Sequence, residues 1–409
     1  MRTRTTALVV LSALLLAGCN DSQSPPTAGP STVPSSSVPL PPETTDQPTT
    51  PTPSATPTPT ATPTPSCLDA KLQNLTLRER AAQLIMTGIS ANGMTSAQRS
   101  IIRQQQPGGI LLLGAGGSLA HTRTATAAAS AAATVDGIKP LVAADQEGGQ
   151  VQRLKGPGFT RIPAATVQGT WTSDKLTARA KQWASQLKQA GVNTNLTPVA
   201  DVVPASLKKQ NAPIGSLDRE FGNTPAEVGP PVQAFVRGMT AEGVITSVKH
   251  FPGIGRVRGN TDFSADVLDN VTVRGDDDLQ PFADGIQAGS EMVMVSTVTY
   301  TKIDPKNRAA FSATVIGGMI RGDLGYGGVV ITDDVGAAAN VAKVPAGQRA
   351  TRVIAAGGDI VINGAANLTA AMVNALVVKA QQDKAFAAKL DESLRRVLAL
   401  KQKHGLVTC

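Results

Sequence analysis

The chain has 409 residues, of which 41% are apolar, 17% charged and 3% aromatic, and its formal net charge is +8. Nucleic-acid binding is excluded, because it needs clustered Lys and Arg interleaved with stacking aromatics, and no such cluster is present. With Arg2 and Arg4 set aside the remainder is still basic, which suits anionic wall polymers or lipid headgroups as neighbours.

Arg2 and Arg4 precede an apolar run from Ala7 to Ala17, and Leu16-Ala17-Gly18-Cys19 ends it with small residues and a cysteine. The run is too short to span a bilayer as a helix. Residues 1–18 read as a bacterial lipoprotein signal peptide, with Cys19 the acylated first residue of the mature chain. The alternative is an ordinary secretory signal in which Cys19 is incidental. The expected location is the extracytoplasmic face of the cell membrane, with the lipid on Cys19 as anchor. Residues 19–66 comprise that cysteine and a stretch dominated by Pro, Thr, Ser and Ala, including Thr50-Pro51-Thr52-Pro53. Its few apolar residues cannot offset the entropy of ordering, and its prolines favour extended polyproline II, so a semi-rigid stalk is expected.

Residues 67–409 remain, roughly 340 in all, more than ordinary single cores reach but within the range of α/β barrels. Short apolar runs recur there: Leu84 to Gly88, Gly109 to Leu113, Leu141 to Asp145, Thr194 to Pro198, Ile245 to His250, Met292 to Thr297, Val329 to Asp333 and Asp359 to Asn363. Runs without alternation predict strands buried on both faces of a parallel sheet. Between them helices are expected at 96–106, 122–136, 174–190, 225–242, 279–289, 312–322, 348–356 and 369–382, and a last one from Phe386 to His404 covers the outside. Eight such units with right-handed crossovers predict a single (β/α)8 barrel of TIM type rather than an open sheet.

Charged residues collect where these runs end. Asp145, Lys249 with His250, and Asp333 with Asp334 all stand where a strand gives way to a loop, at the rim on which barrel enzymes assemble their sites. A structural ion pair accounts for any one of them, since an unpaired charge at a strand end is costly to bury. Three strands delivering charge to one rim point instead to chemistry. In the segment from Asp145 to Arg153, Asp145 can accept two hydroxyl hydrogen bonds, Arg153 offers a fork of donors, and Gly148-Gly149 let backbone approach a ligand. Glu147 is, by type, a second candidate acid. Lys249 and His250 would point apart on a regular strand, but a terminus bending into Phe251-Pro252-Gly253 lets both reach one pocket. A carboxylate such as Asp333 at the barrel mouth can attack an anomeric carbon, provided a second group serves as acid and base. Paired Asp residues also suit a hard cation, but no third ligand at metal spacing accompanies them, and no metal is expected.

Together with the stretch from Ile214 to Gly222, these segments resemble, in order and from Leu75 onward, the bacterial β-N-acetylglucosaminidases of glycoside hydrolase family 3. The resemblance implies a retaining hydrolase without metal or organic cofactor, in a lipoprotein form with the barrel as its only folded domain. It makes Asp333 the nucleophile, and it assigns Asp145, Arg153, Arg219, Lys249 and His250 to the terminal sugar. The implied substrate is an oligosaccharide or muropeptide ending in β-linked N-acetylglucosamine. A monomer is expected. One departure matters: after Lys-His-Phe-Pro-Gly the family has His-Gly and then an Asp-Ser-His triplet whose His donates the proton. Here Ile254 replaces the first His, and Asn260-Thr261-Asp262 occupy the triplet. His121 and His404 fall in predicted helices away from the rim.

The expected donor is therefore Asp262, in a mobile loop whose Gly253, Gly255 and Gly259 would let it close over the sugar, desolvate the carboxyl and raise its pKa. Asp266 and Glu147 are the other candidates, and a turn-capping Asp262 is the structural alternative. Without a donor the same barrel is a sugar-binding lipoprotein; with another glycone or acceptor it is a family 3 β-glucosidase or phosphorylase. With Cys19 taken by lipid, Cys67 and Cys409 are left to form a disulfide where the barrel brings its first and last elements together.

Overall fold

The computed structural model describes residues 67–408, so the signal peptide, Cys19, the stalk and Cys409 lie outside the described residues. All eight predicted strands form: β1 (Ile85–Ser90), β2 (Gly109–Leu113), β3 (Leu141–Ala144), β4 (Thr194–Asn195), β5 (Ile245–Phe251), β6 (Met292–Val295), β7 (Val329–Thr332) and β8 (Val361–Asn363). They pair in parallel in the order β7-β6-β5-β4-β3-β2-β1-β8. A parallel bridge between Ile331 and Ile360 joins β7 to β8, where the Thr332 amide donates to the Ile360 carbonyl at 3.0 Å. The sheet thus closes on itself as a (β/α)8 barrel, and its strands read as unbroken apolar runs because both faces are covered.

Every second strand sends a side chain into one cavity at the C-terminal end of the ring: Leu111 from β2, Leu196 from just past β4, Met294 from β6 and Ile362 from β8. Such layered filling makes the barrel a packed core that opens only at its rim. Outside, helices begin where the sequence supplies caps. Thr76 with Glu79 and Thr95 with Gln98 form capping boxes, and the hydroxyls of Thr172 and Thr224 accept amides three residues on. The final helix, Lys384–Lys403, buries Leu390, Leu394, Val397 and Leu398, a stripe at i, i+4, i+7 and i+8.

Three departures from the expected pattern have local causes. Two short helices, Cys67–Asn74 and Leu77–Gln83, precede β1 and pack on the last two helices; at eight and seven residues they are too short for periodicity to reveal. The helix expected from Ser312 is a π-helix over Thr314–Asp323, which an apolar spacing of three to four residues does not separate from an α-helix. β4 stops at Asn195 instead of Pro198, since proline has no amide to continue the ladder.

Candidate active site

The rim cavity measures about 490 Å³ and gathers Asp145, Arg153, Arg219, Lys249, His250, Asp262 and Asp333, the full set of catalytic and sugar-binding residues expected from the sequence. Asp145 follows β3, and the chain then folds into a hairpin of Gln146–Gly148 with Val151–Gln152. Its glycines serve this turn rather than a ligand: Gly148 has φ 117°, and a Cβ there would meet the Pro163 carbonyl oxygen at 2.2 Å. The peptide between Lys249 and His250 is cis, and both side chains line the cavity.

Four charges form a buried network on one side of the cavity. Lys249 Nζ donates to Asp145 Oδ1 at 2.8 Å and lies 2.6 Å from Glu147 Oε1. Arg219 grips Glu147 with a fork, Nε to Oε2 and Nη2 to Oε1, both at 2.8 Å, and its Nη1 donates to the Pro213 carbonyl at 2.7 Å. Burial alone would raise the pKa of Glu147, but Arg219 and Lys249 hold it well below the usual carboxylate range. A carboxylate so firmly ionised has no proton to give, which removes Glu147 as the acid and makes it the support on which Lys249 and Arg219 are oriented. Arg153 is half-buried beside them, and its Nε has no protein partner.

Asp201 escaped the sequence reading. It is fully buried in the segment after β4, and it accepts from His250 Nδ1 at 2.7 Å and from the amides of His250 and Ile254 at 3.3 and 2.8 Å. A carboxylate on Nδ1 fixes the ring and leaves Nε2 to serve the cavity. No rim signal marked it, because Asp201 stands inside the apolar stretch Val199-Ala200-Asp201-Val202-Val203 rather than at its end.

Asp333 follows β7, and its Oδ1 accepts the Asp334 amide at 2.8 Å. Burial pushes its pKa up, His250 and Lys249 draw it down, and Asp262 raises it again. Asp334 does something else. Its Oδ1 accepts the amides of Gly336, Ala337 and Gly364 at 2.7, 3.2 and 2.8 Å, so it organises a turn rather than half of a cation site.

Asp262 lies at the mouth, where it keeps solvent access; burial of its carboxyl and then Asp334 raise its pKa. Its loop is tied to the turn after β7: the Ala339 amide donates to the Asp262 carbonyl and the Asn340 amide to that of Thr261, both at 3.1 Å. Gly255 is required because a Cβ would meet the Val202 carbonyl oxygen at 1.8 Å, so this glycine marks close packing rather than a hinge. Asp266 is exposed, and bonds from Lys343 and Arg308 hold its pKa low, which sets it apart from proton donation. Neither remaining His reaches the cavity: His121 Nε2 is 3.0 Å from the Asn92 carbonyl, and His404 bonds Glu291. Cys67 is disulfide-bonded, while the expected partner Cys409 and the lipidation site Cys19 lie outside the described residues.

Comparison with known proteins agrees with this geometry. The profile of the glycosyl hydrolase family 3 N terminal domain matches residues 76–400. A β-hexosaminidase of Xanthomonas campestris is 30% identical over 290 residues, which are 68% of this chain and 83% of that protein. The crystal structure of a β-N-acetylhexosaminidase from Beutenbergia cavernae superposes with a TM-score of 0.79 at 43% identity, covering 80% of this chain and 99% of that one. A family 3 β-N-acetylglucosaminidase from Paenibacillus gives 0.72 at 28% identity, covering 81% and 63%. The chain belongs to glycosyl hydrolase family 3 and is a glycoside hydrolase.

Proposed function

We propose that the enzyme is a retaining β-N-acetylglucosaminidase that removes terminal β-linked N-acetylglucosamine from peptidoglycan-derived saccharides. The observation that carries the reading is Asp333, a half-buried carboxylate just past the end of β7 in a cavity of sugar-holding polar groups, where burial raises its pKa and His250 and Lys249 draw it down. The names of the relatives supply the glycone. Asp333 attacks the anomeric carbon, the glycosidic bond breaks, and the departing oxygen takes a proton from Asp262. Water, deprotonated by Asp262, then displaces the sugar from Asp333. Asp145, Arg153, Arg219, Lys249 and His250 hold the hydroxyls, and Asp201 keeps His250 in its tautomer.

Purified protein assayed on p-nitrophenyl β-N-acetylglucosaminide beside the β-glucoside should hydrolyse the first alone. A 5-fluoro glycosyl fluoride should label Asp333; label on Asp334 or Glu147 would displace the assignment. Cleavage of the glucoside, or turnover that requires phosphate, would make the enzyme a β-glucosidase or a phosphorylase. The loss of the family's proton-donating His, whose place Asp262 takes, favours a second reading as a sugar-binding protein without turnover. Binding of N-acetylglucosamine with no hydrolysis of either substrate would select it.

The proposal extends to location. The residues Arg2, Arg4, Ala7 to Ala17 and Cys19 support an enzyme tethered by lipid to the extracytoplasmic face of the membrane through the stalk, and the disulfide at Cys67 supports Cys409 as its partner. Cys19→Ala should release it from the membrane fraction.

A further inference from the structure

Six of the eight phenylalanines are buried and Phe159 is half-buried, but Phe263 is 83% exposed. Its position is fixed rather than loose. The Phe263 amide donates to the Asn260 carbonyl at 3.1 Å, and the Ser264 amide donates to the same oxygen at 2.8 Å. The two residues before it, Thr261 and Asp262, are tied to Asn340 and Ala339, and Asn340 Oδ1 accepts the Val267 amide at 3.0 Å. An aromatic ring presented to water on a pinned backbone is pre-organised for a contact, since little freedom is lost when something lands on it.

The cavity shows what that contact is. The buried Lys249 and His250 line the cavity together with the exposed Phe263 and Ala337 and the half-buried Leu217, beside the exposed Asp262. A pyranose ring has one face of C–H groups, and such a face lies favourably on an aromatic ring. When the terminal sugar sits against Asp333, the next ring leaves through the mouth, beside Asp262. We propose that Phe263 is the platform for this second ring, so that the enzyme prefers glycosides whose aglycone is itself a sugar over those with a small alkyl group. The proposal rests on the function given above and adds the residue that would set its preference for the leaving group.

The test is kcat/KM on N,N′-diacetylchitobiose and on methyl β-N-acetylglucosaminide for the wild type, Phe263→Ala and Phe263→Trp. The ratio of the two should fall about tenfold in the alanine variant and persist in the tryptophan variant. An unchanged ratio in Phe263→Ala would overturn the platform. Wild-type protein that turns over neither compound would refute the proposed function. The platform would then be read from calorimetry: tighter binding of the disaccharide than of N-acetylglucosamine, lost in Phe263→Ala, sustains it, and equal affinities overturn it.

Discussion

The two ends of the barrel carry the same kinds of charged residue and use them in opposite ways. At the N-terminal end, Asp359 stands just ahead of β8, fully buried, and accepts Arg321 at 2.6 Å, Arg396 at 2.9 Å and the Val330 amide at 2.7 Å. Glu291, just ahead of β6, takes Lys403 at 2.6 Å and His404 at 2.8 Å. These groups meet one another and hold helices to the barrel. At the C-terminal end Lys249, Asp145, Glu147 and Arg219 also meet one another, but beside a cavity in which Asp333 accepts one backbone amide and Arg153 keeps an unpartnered Nε. Residue type does not distinguish the two sets. The strand end does, because the loops there leave room for a ligand.

If that contrast is real, the two ends should fail differently. Asp333→Asn should lower turnover by at least about 10³-fold, through loss of the nucleophile, and leave the thermal midpoint near that of the wild type. Asp359→Asn should do the reverse. It leaves Arg321 without its anion and Arg396 with only the exposed Glu392, and breaking a buried pair costs about 3–5 kcal/mol, visible as a lower denaturant midpoint with near-normal kcat in the folded fraction. Lost activity at unchanged stability in Asp359→Asn would erase the distinction between the ends.

Lys401 sharpens the comparison. It is fully buried on the last helix, where the oxygen of Gln83 accepts its Nζ at 2.6 Å, and burial pushes its pKa down to about 7. Between that value and about 10.4 the unfolded chain holds a proton that the folded chain lacks, so stability rises with pH across the window, and the cost is greatest at pH 7 and below. Lys401→Met should therefore stabilise the domain by on the order of 3 kcal/mol near pH 7, with the gain shrinking toward pH 10. Denaturant midpoints at the two pH values measure it. A loss at pH 7 would mean that the bond to Gln83 outweighs the burial of the ammonium.

The strands and the rim were legible because buried parallel strands appear as apolar runs and because Asp145, Lys249, His250 and Asp333 stand at their ends. What the sequence hid was contact at long range. Asp201 follows a strand with only two ladder residues, and nothing local ties it to His250, 49 positions on. The role of Glu147 depends on Arg219, 72 positions away, which turns a candidate acid into a fixed anion. Gly148 was read as room for a ligand and Gly255 as freedom for a loop to close, yet each admits a carbonyl of the chain itself, Pro163 or Val202, an approach that only packing reveals.

The smallest expected effect lies in the pH profile and concerns the rim alone. Turnover needs Asp333 ionised, so the rate rises as pH passes through its pKa; proton donation needs Asp262 protonated, so the rate falls as pH passes through that of Asp262. Both values are raised, first by burial, and each carboxylate lies in a field of others: Asp262 raises Asp333, and Asp334 raises Asp262. The two titrate as a pair, and the charge of whichever ionises first raises the pKa of the other. Where turnover has Asp333 ionise beside a protonated Asp262, Asp262→Asn replaces one uncharged group by another, so the acid limb should stay within about half a pH unit of its place. The measurement needs an activated aryl glycoside, whose departure does not depend on a donor, and on this substrate the alkaline limb should disappear. On a poor leaving group the same variant should lose most of its activity and recover part of it with azide. An acid limb that moves to lower pH would show that Asp262 is already ionised when Asp333 titrates, and an alkaline limb that survives would take the proton away from Asp262.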